Sequence, residues 1–133
     1  MNHEMLEQAL RVAPFHRWLS VSLRTSGPEG ITISMPWRDE MISSPALPAM
    51  HGGILAALID LTGFYTVLAS GHLCTSTADL HVDYHRPASR ETLTATGKIL
   101  RISKRLSVAE VHISSENGCL LASGRGAYAM KDT

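Results

Sequence analysis

The chain has two cysteines, no excess of charge of either sign, and no long apolar run free of polar interruptions. Each shortage excludes something. Twelve Lys and Arg residues balance twelve Asp and Glu residues, so there is no net positive field to hold nucleic acid non-specifically. The longest apolar stretch, from Ile54 to Ala69, is broken by Asp60, Thr62, Gly63, Tyr65 and Thr66. It falls short of the roughly 18–20 residues that a membrane span needs. The first residues, Met1 to Gln8, lack a basic start followed by an apolar segment, so no secretory signal is expected. Without export, Cys74 and Cys119 are expected to be free thiols in a reducing cytoplasm rather than a disulfide.

What remains describes a packed protein. At 133 residues, 44% hydrophobic and 18% charged, the chain can bury one core but not two, and it is too apolar to stay disordered. No internal repeat, linker or low-complexity stretch divides it. A single domain over residues 1–133 is expected.

Hydrophobic periodicity supplies the elements. Met5, Leu6, Leu10 and Val12 recur at near-helical spacing and Pro14 ends that short helix. Leu19, Val21 and Leu23 then alternate with polar residues, Gly27-Pro28-Glu29-Gly30 is a turn signal, and Ile31 to Trp37 alternates again. This pattern predicts a hairpin. Residues 38–50 carry a polar start and two prolines, and they read as a long loop of the kind that is often functional. A helix follows from Gly52 or Gly53 to about Ser70, with Gly71 as a cap. It is apolar on nearly every side, which is the mark of a buried helix. Four strands complete the chain, over about Thr75–Tyr84, Glu91–Ile102, Leu106–Ile113 and Cys119–Met130, with Asn117-Gly118 in a hairpin turn. One apolar helix and several strands predict an α+β protein whose antiparallel sheet curls around the helix.

Asp60 is the odd residue of that helix. A carboxylate there costs several kcal/mol unless it is hydrogen-bonded or paired. It lies seven residues after Gly53, two helical turns on, so both point the same way. Asp60 is therefore a candidate general base or nucleophile, or else a structural acid bonded to a nearby Thr or backbone amide. The first-turn amides of Gly52 and Gly53 are unpaired in a helix and sit at its positive end, where they suit a developing oxyanion. The competing reason for two glycines is tight packing at the helix entrance.

Three segments carry a family resemblance. His51-Gly52-Gly53 with Asp60 on the helix resembles the HGG…D signature of the PaaI-like branch of hotdog-fold acyl-CoA thioesterases. Thr77 to Ala88 is similar to that branch's strand ending in an aromatic residue, a basic or polar residue, Pro and Ala, and Leu120 to Gly126 is similar to its closing strand. Together they extend from about Ala49 to the end of the chain. The resemblance implies a hotdog fold, a sheet of about six strands around one long central helix with a short N-terminal helix. It implies a homodimer or homotetramer with active sites between subunits, acyl-CoA as the small-molecule partner, no metal or redox cofactor, and an inactive monomer. The acid of one subunit then faces the Gly-Gly helix start of the other.

Carried over residue by residue, the resemblance makes Asp60, Gly52, Gly53 and His51 site residues. Thr77 matches a position whose hydroxyl orients the water or the acid, although a strand threonine is also simply a good β-former. About six positions before His51, where relatives often carry Asn, this chain has Ser44 and Pro45, so Ser44 is the candidate there. Phe64 is a substrate-binding candidate on the same helix. Arg86, Arg101, Lys104 and Arg105 are candidates for the coenzyme A phosphates, with Arg125 behind them. Of the seven histidines, His81 and His85 share a strand but are four apart, and no metal-ligand spacing is present. Two other readings stay open. A stretch from Pro45 to Gly53 is also similar to the proline-rich entry of hotdog hydratases and dehydratases, and a non-catalytic acyl-CoA-binding module would keep the pocket without needing Asp60.

Overall fold

The computed structural model describes residues 1–132. Helix α1 (His3–Leu10) is capped by Asn2, whose side chain accepts from the Met5 N–H. Pro14 does more than stop it. It occupies the first turn of a second short helix, α2 (Pro14–Leu19), where a missing N–H costs nothing. The expected strand start at Leu19 is thus helical, and β1 begins only at Ser22.

β1 (Ser22–Ser26) and β2 (Gly30–Met35) form the predicted hairpin. The expected loop over 38–50 is corrected as well. It holds a 3₁₀ turn at Asp39–Met41 and a small ribbon of β3 (Ile42–Ser44) and β4 (Leu47–Met50). The prolines fit because Pro45 lies in the turn and Pro48 lies in a strand with one free edge. Helix α3 (Gly52–Ala69) comes next, then β5 (Cys74–Tyr84), β6 (Leu93–Arg101), β7 (Leu106–Ser114) and β8 (Leu120–Met130).

Six strands make one antiparallel sheet in the order β1-β2-β6-β7-β8-β5. β6, β7 and β8 run as a meander, with Gly118 (φ +86°) turning the last hairpin. β5 crosses to the far side of β8 and becomes an edge. The sheet wraps α3 in the hotdog arrangement. Leu55, Leu58, Ile59 and Val67 of α3 pack with Ile31, Ile33 and Met35 of β2, Leu93 and Ala95 of β6, and Ala109, Val111 and Ile113 of β7. Burial of each large side chain contributes roughly 1.5–3 kcal/mol.

By length and composition α3 is apolar enough to cross a membrane, but here half of it is buried in the fold. The other half is instructive. Gly53 is exposed and Ala56, Ala57, Asp60 and Phe64 are only half-buried, a stripe at helical spacing that one copy of the chain does not cover.

Candidate active site

Thr77 reaches Asp60 through an irregularity. Leu80 and Val82 of β5 pair with Gly126 and Gly124, on the sheet face that looks at α3. Unbroken alternation would put Thr77 on the opposite face, with Asp79, His81 and Asp83. The register slips between Thr77 and Asp79, where Thr77 pairs with Tyr128 and Asp79 with Ala127. Ala78 is the extra residue of a β-bulge. The bulge turns Thr77 inward, and its Oγ1 donates to Asp60 Oδ1 at 2.7 Å.

Asp60 and Thr77 share a cleft of about 210 Å³ with Leu61, Phe64, Tyr65 and His16. Apart from the Asp-Thr pair and His16, its walls are apolar or aromatic. His16 comes from α2 and was not expected. Its Nδ1 lies 2.8 Å from the Leu10 carbonyl, which can only accept, so the proton sits on Nδ1 and Nε2 is the free acceptor of the neutral ring. The ring meets Tyr65 edge-on, with centroids 5.8 Å apart, and the Tyr65 hydroxyl donates to the Ala9 carbonyl at 3.2 Å. These contacts tie α1 and α2 to α3 and make the N-terminal segment one wall of the cleft.

The helix start is more constrained than its two glycines suggest. His51 is the N-cap of α3, and its Nδ1 accepts the Gly53 N–H at 2.8 Å. A Cβ on Gly53 would stand 3.0 Å from that nitrogen. The expectation of Gly53 as a free oxyanion donor therefore meets an occupied N–H. Because Nδ1 accepts, the neutral His51 ring carries its proton on Nε2. The Gly52 N–H, in contrast, has no partner within the chain among the described residues. Tyr84 closes this end, its hydroxyl donating to the Gly52 carbonyl at 2.7 Å. Packing against the His51 ring thus gives Gly53 a reason of its own.

The remaining candidates are scattered. Ser44 Oγ accepts the Ala46 N–H at 3.3 Å inside the β3–β4 turn and does not line the Asp60 cleft. Arg86 follows β5 near the start of α3, its N–H bonded to Leu121. Arg101 ends β6, while Lys104 and Arg105 lie in the following turn beside Leu73 and Met130, past the other end of α3. An 18-residue helix is about 27 Å long, so one chain does not gather these cations into one phosphate site. Among the described residues no three His, Cys, Asp or Glu side chains converge.

Tyr128 is the second unexpected member. It is fully buried on β8, and its hydroxyl donates to the Asp60 backbone carbonyl at 3.0 Å. Burial, then the nearby Asp60 and Cys74, push its phenol well above the ordinary range, so it is a donor at any working pH. Burial also pushes the Cys74 thiol up to about 11. Cys74 and Cys119 are both unpaired, and Cys74 is a protonated, inert side chain near neutral pH.

Residues 47–122, more than half of the chain, match the family described as the thioesterase superfamily. The chain belongs to the thioesterase superfamily. A solved structure from that superfamily is 41% identical, with a TM-score of 0.92 over 97% of this chain and 98% of that one. The medium/long-chain acyl-CoA thioesterase YigI of Escherichia coli (strain K12) is 28% identical over 145 aligned residues, 92% of this chain and 94% of YigI. The E. coli PaaI protein, from the phenylacetic acid degradation operon, superposes with a TM-score of 0.84 over 98% of this chain and 97% of that one. At 18% identity that likeness concerns the fold. The stretch of this thioesterase-superfamily protein that matches the family holds His51, Gly52, Gly53, Asp60 and Thr77. It leaves out His16 and Tyr128.

Proposed function

We propose that this protein hydrolyses acyl-CoA thioesters, with Asp60 as general base or nucleophile and the Gly52 N–H of a second copy as oxyanion donor. The Asp60–Thr77 pair in the wall of an apolar cleft is the observation that carries the reading. Thr77 occupies one carboxylate oxygen and leaves the other for chemistry. As a base, Asp60 takes a proton from water while the water oxygen attacks the carbonyl carbon. The tetrahedral oxyanion then collapses, the C–S bond breaks, and the leaving thiolate recovers the proton. As a nucleophile, Asp60 displaces the thiolate to form a mixed anhydride, which water opens. Either route is redox-neutral and consumes only water. Release of free thiol from acyl-CoA tests it directly. A hydratase or dehydratase would liberate none, and a binding module would hold acyl-CoA without turnover.

The composite site rests on two arguments. Gly52 lies eight residues before Asp60, about 12 Å along the helix axis, so one chain's amide does not reach a carbonyl that the same chain's Asp60 attacks. Moreover, β5 is an 11-residue edge strand, and an unprotected edge of that length invites another strand. β5 borders the uncovered stripe of α3. A two-fold pairing of copies along β5 covers both features and brings each Asp60 towards the other copy's helix start. Of the four candidate cations, Arg86 follows the end of β5, whose Tyr84 bonds to Gly52 at the helix start, and we assign it a coenzyme A phosphate before Arg101, Lys104 or Arg105.

For the acyl group we infer a medium or long chain, in keeping with the name of the YigI relative. Leu61, Phe64 and Tyr65 give the cleft apolar walls that suit a hydrocarbon chain. His16→Trp, which fills the α2 wall, is expected to shift the optimum to shorter chains, with kcat/KM for octanoyl-CoA falling about tenfold relative to butyryl-CoA. An unchanged chain-length profile would remove His16 from the acyl site.

A further inference from the structure

Tyr128 has a place in the fold that packing does not require. A phenylalanine would fill the same space without a hydroxyl to satisfy. Its acceptor, the Asp60 carbonyl, already receives a helical N–H four residues on, so α3 does not need the extra bond. Room for the ring and its hydroxyl is made at two points. A Cβ on Gly63, three residues after Asp60, or on Gly126, on the same strand face as Tyr128, would fall on the tyrosine oxygen. Tyr128 is also the register partner of Thr77. Two neighbouring strands therefore hold one helix residue at two points, Thr77 by its carboxylate and Tyr128 by its main chain. The Tyr128 ring in turn meets Phe64 of the cleft edge-on, with centroids 5.8 Å apart.

We propose that Tyr128 is a positioning residue for Asp60, fixing the height and rotation of α3 against β5 and β8 so that the carboxylate meets Thr77. The bond acts like a pin. Without it the helix keeps its ladder and its core contacts but slides by fractions of an ångström, and Asp60 loses its aim. Gly63 and Gly126 seat the Tyr128 ring as well as its hydroxyl, because a Cβ at either would also crowd the ring carbon that bears the oxygen. This inference rests on the reading of Asp60 as the reacting acid.

The test uses Tyr128→Phe in the full-length protein, assayed by thiol release from octanoyl-CoA. This variant removes one oxygen and leaves no buried group without a partner, so its melting temperature should stay close to wild type. We expect kcat to fall roughly tenfold with KM changed less than about twofold, as loss of aim at the reacting group demands. Thr77→Ala should act in the same way, and the double variant should be little worse than the worse single one. In an Asp60→Asn background, Tyr128→Phe should have no further effect. A wild-type kcat for Tyr128→Phe, or an equal loss in the Asp60→Asn background, overturns the positioning role. If Asp60→Asn itself turns over like wild type, the reading of Asp60 fails instead, and the two failures are told apart.

Discussion

Replacing Asp60 by Asn is expected to lower kcat by roughly 10²–10⁴-fold while leaving the fold and KM nearly unchanged. The change is isosteric. Thr77 Oγ1, which donates to Asp60 Oδ1 at 2.7 Å, can donate as well to an amide oxygen, and the backbone bond from Tyr128 does not involve the side chain. What disappears is the capacity to accept a proton from water or to attack a carbonyl. Because Asp60 is half-buried rather than sealed in the core, no large gain in stability should offset the loss. Steady-state thiol release, paired with a thermal melt, reads both quantities. Near-wild-type turnover in a folded Asp60→Asn protein would end the assignment.

The second large effect is expected from Gly52→Pro. Gly52 is the first residue of α3, after the His51 cap. Proline is welcome there, since its fixed φ suits a helix and the missing N–H has no intrahelical partner. His51 has φ −58° and ψ 130°, near polyproline II and outside the α region that a following proline disfavours, and its bond to the Gly53 N–H is kept. A Cβ at position 52 lies 3.3 Å from the Tyr84 ring, but Tyr84 is 54% exposed and can give way. The substitution thus deletes one N–H from an otherwise preserved helix start. Loss of one oxyanion donor lowers kcat by roughly 10²–10³-fold. A kcat within about twofold of wild type would move the oxyanion site elsewhere, with the Nε2–H of His51 the next candidate.

The sequence made some of this readable and hid the rest for identifiable reasons. Most strands of the sheet are visible in their period-two alternation, and α3 is visible as a long segment apolar on nearly every side. Asp60 stood out as the one acid in an apolar helix. Thr77 matched a family position, but only the bulge at Ala78 shows how it turns towards Asp60. A single-residue slip leaves no trace in an alternation that was loose from Thr75 onward. α2 was hidden because Leu19, Val21 and Leu23 continue one alternating series across a helix end, so His16 could not be placed. Tyr128 carries no mark in the sequence, because its contacts with Asp60, Gly63 and Gly126 join two different elements. The apolarity of α3 read as simple burial. In the fold it divides into a face under the sheet and a stripe that awaits a second copy.

That stripe makes the composite site the central claim, and subunit mixing tests it most directly. Asp60→Asn and Gly52→Pro chains are each expected to be nearly inactive alone. Unfolded together in equal amounts and refolded, they form mixed pairs in which one of two sites joins the intact Asp60 of the Gly52→Pro chain to the intact Gly52 of the Asp60→Asn chain. Random pairing makes half the dimers mixed, so activity should return to about a quarter of wild type. A mixture no more active than its two components would contradict the account, because it would mean that each active site is built from a single chain.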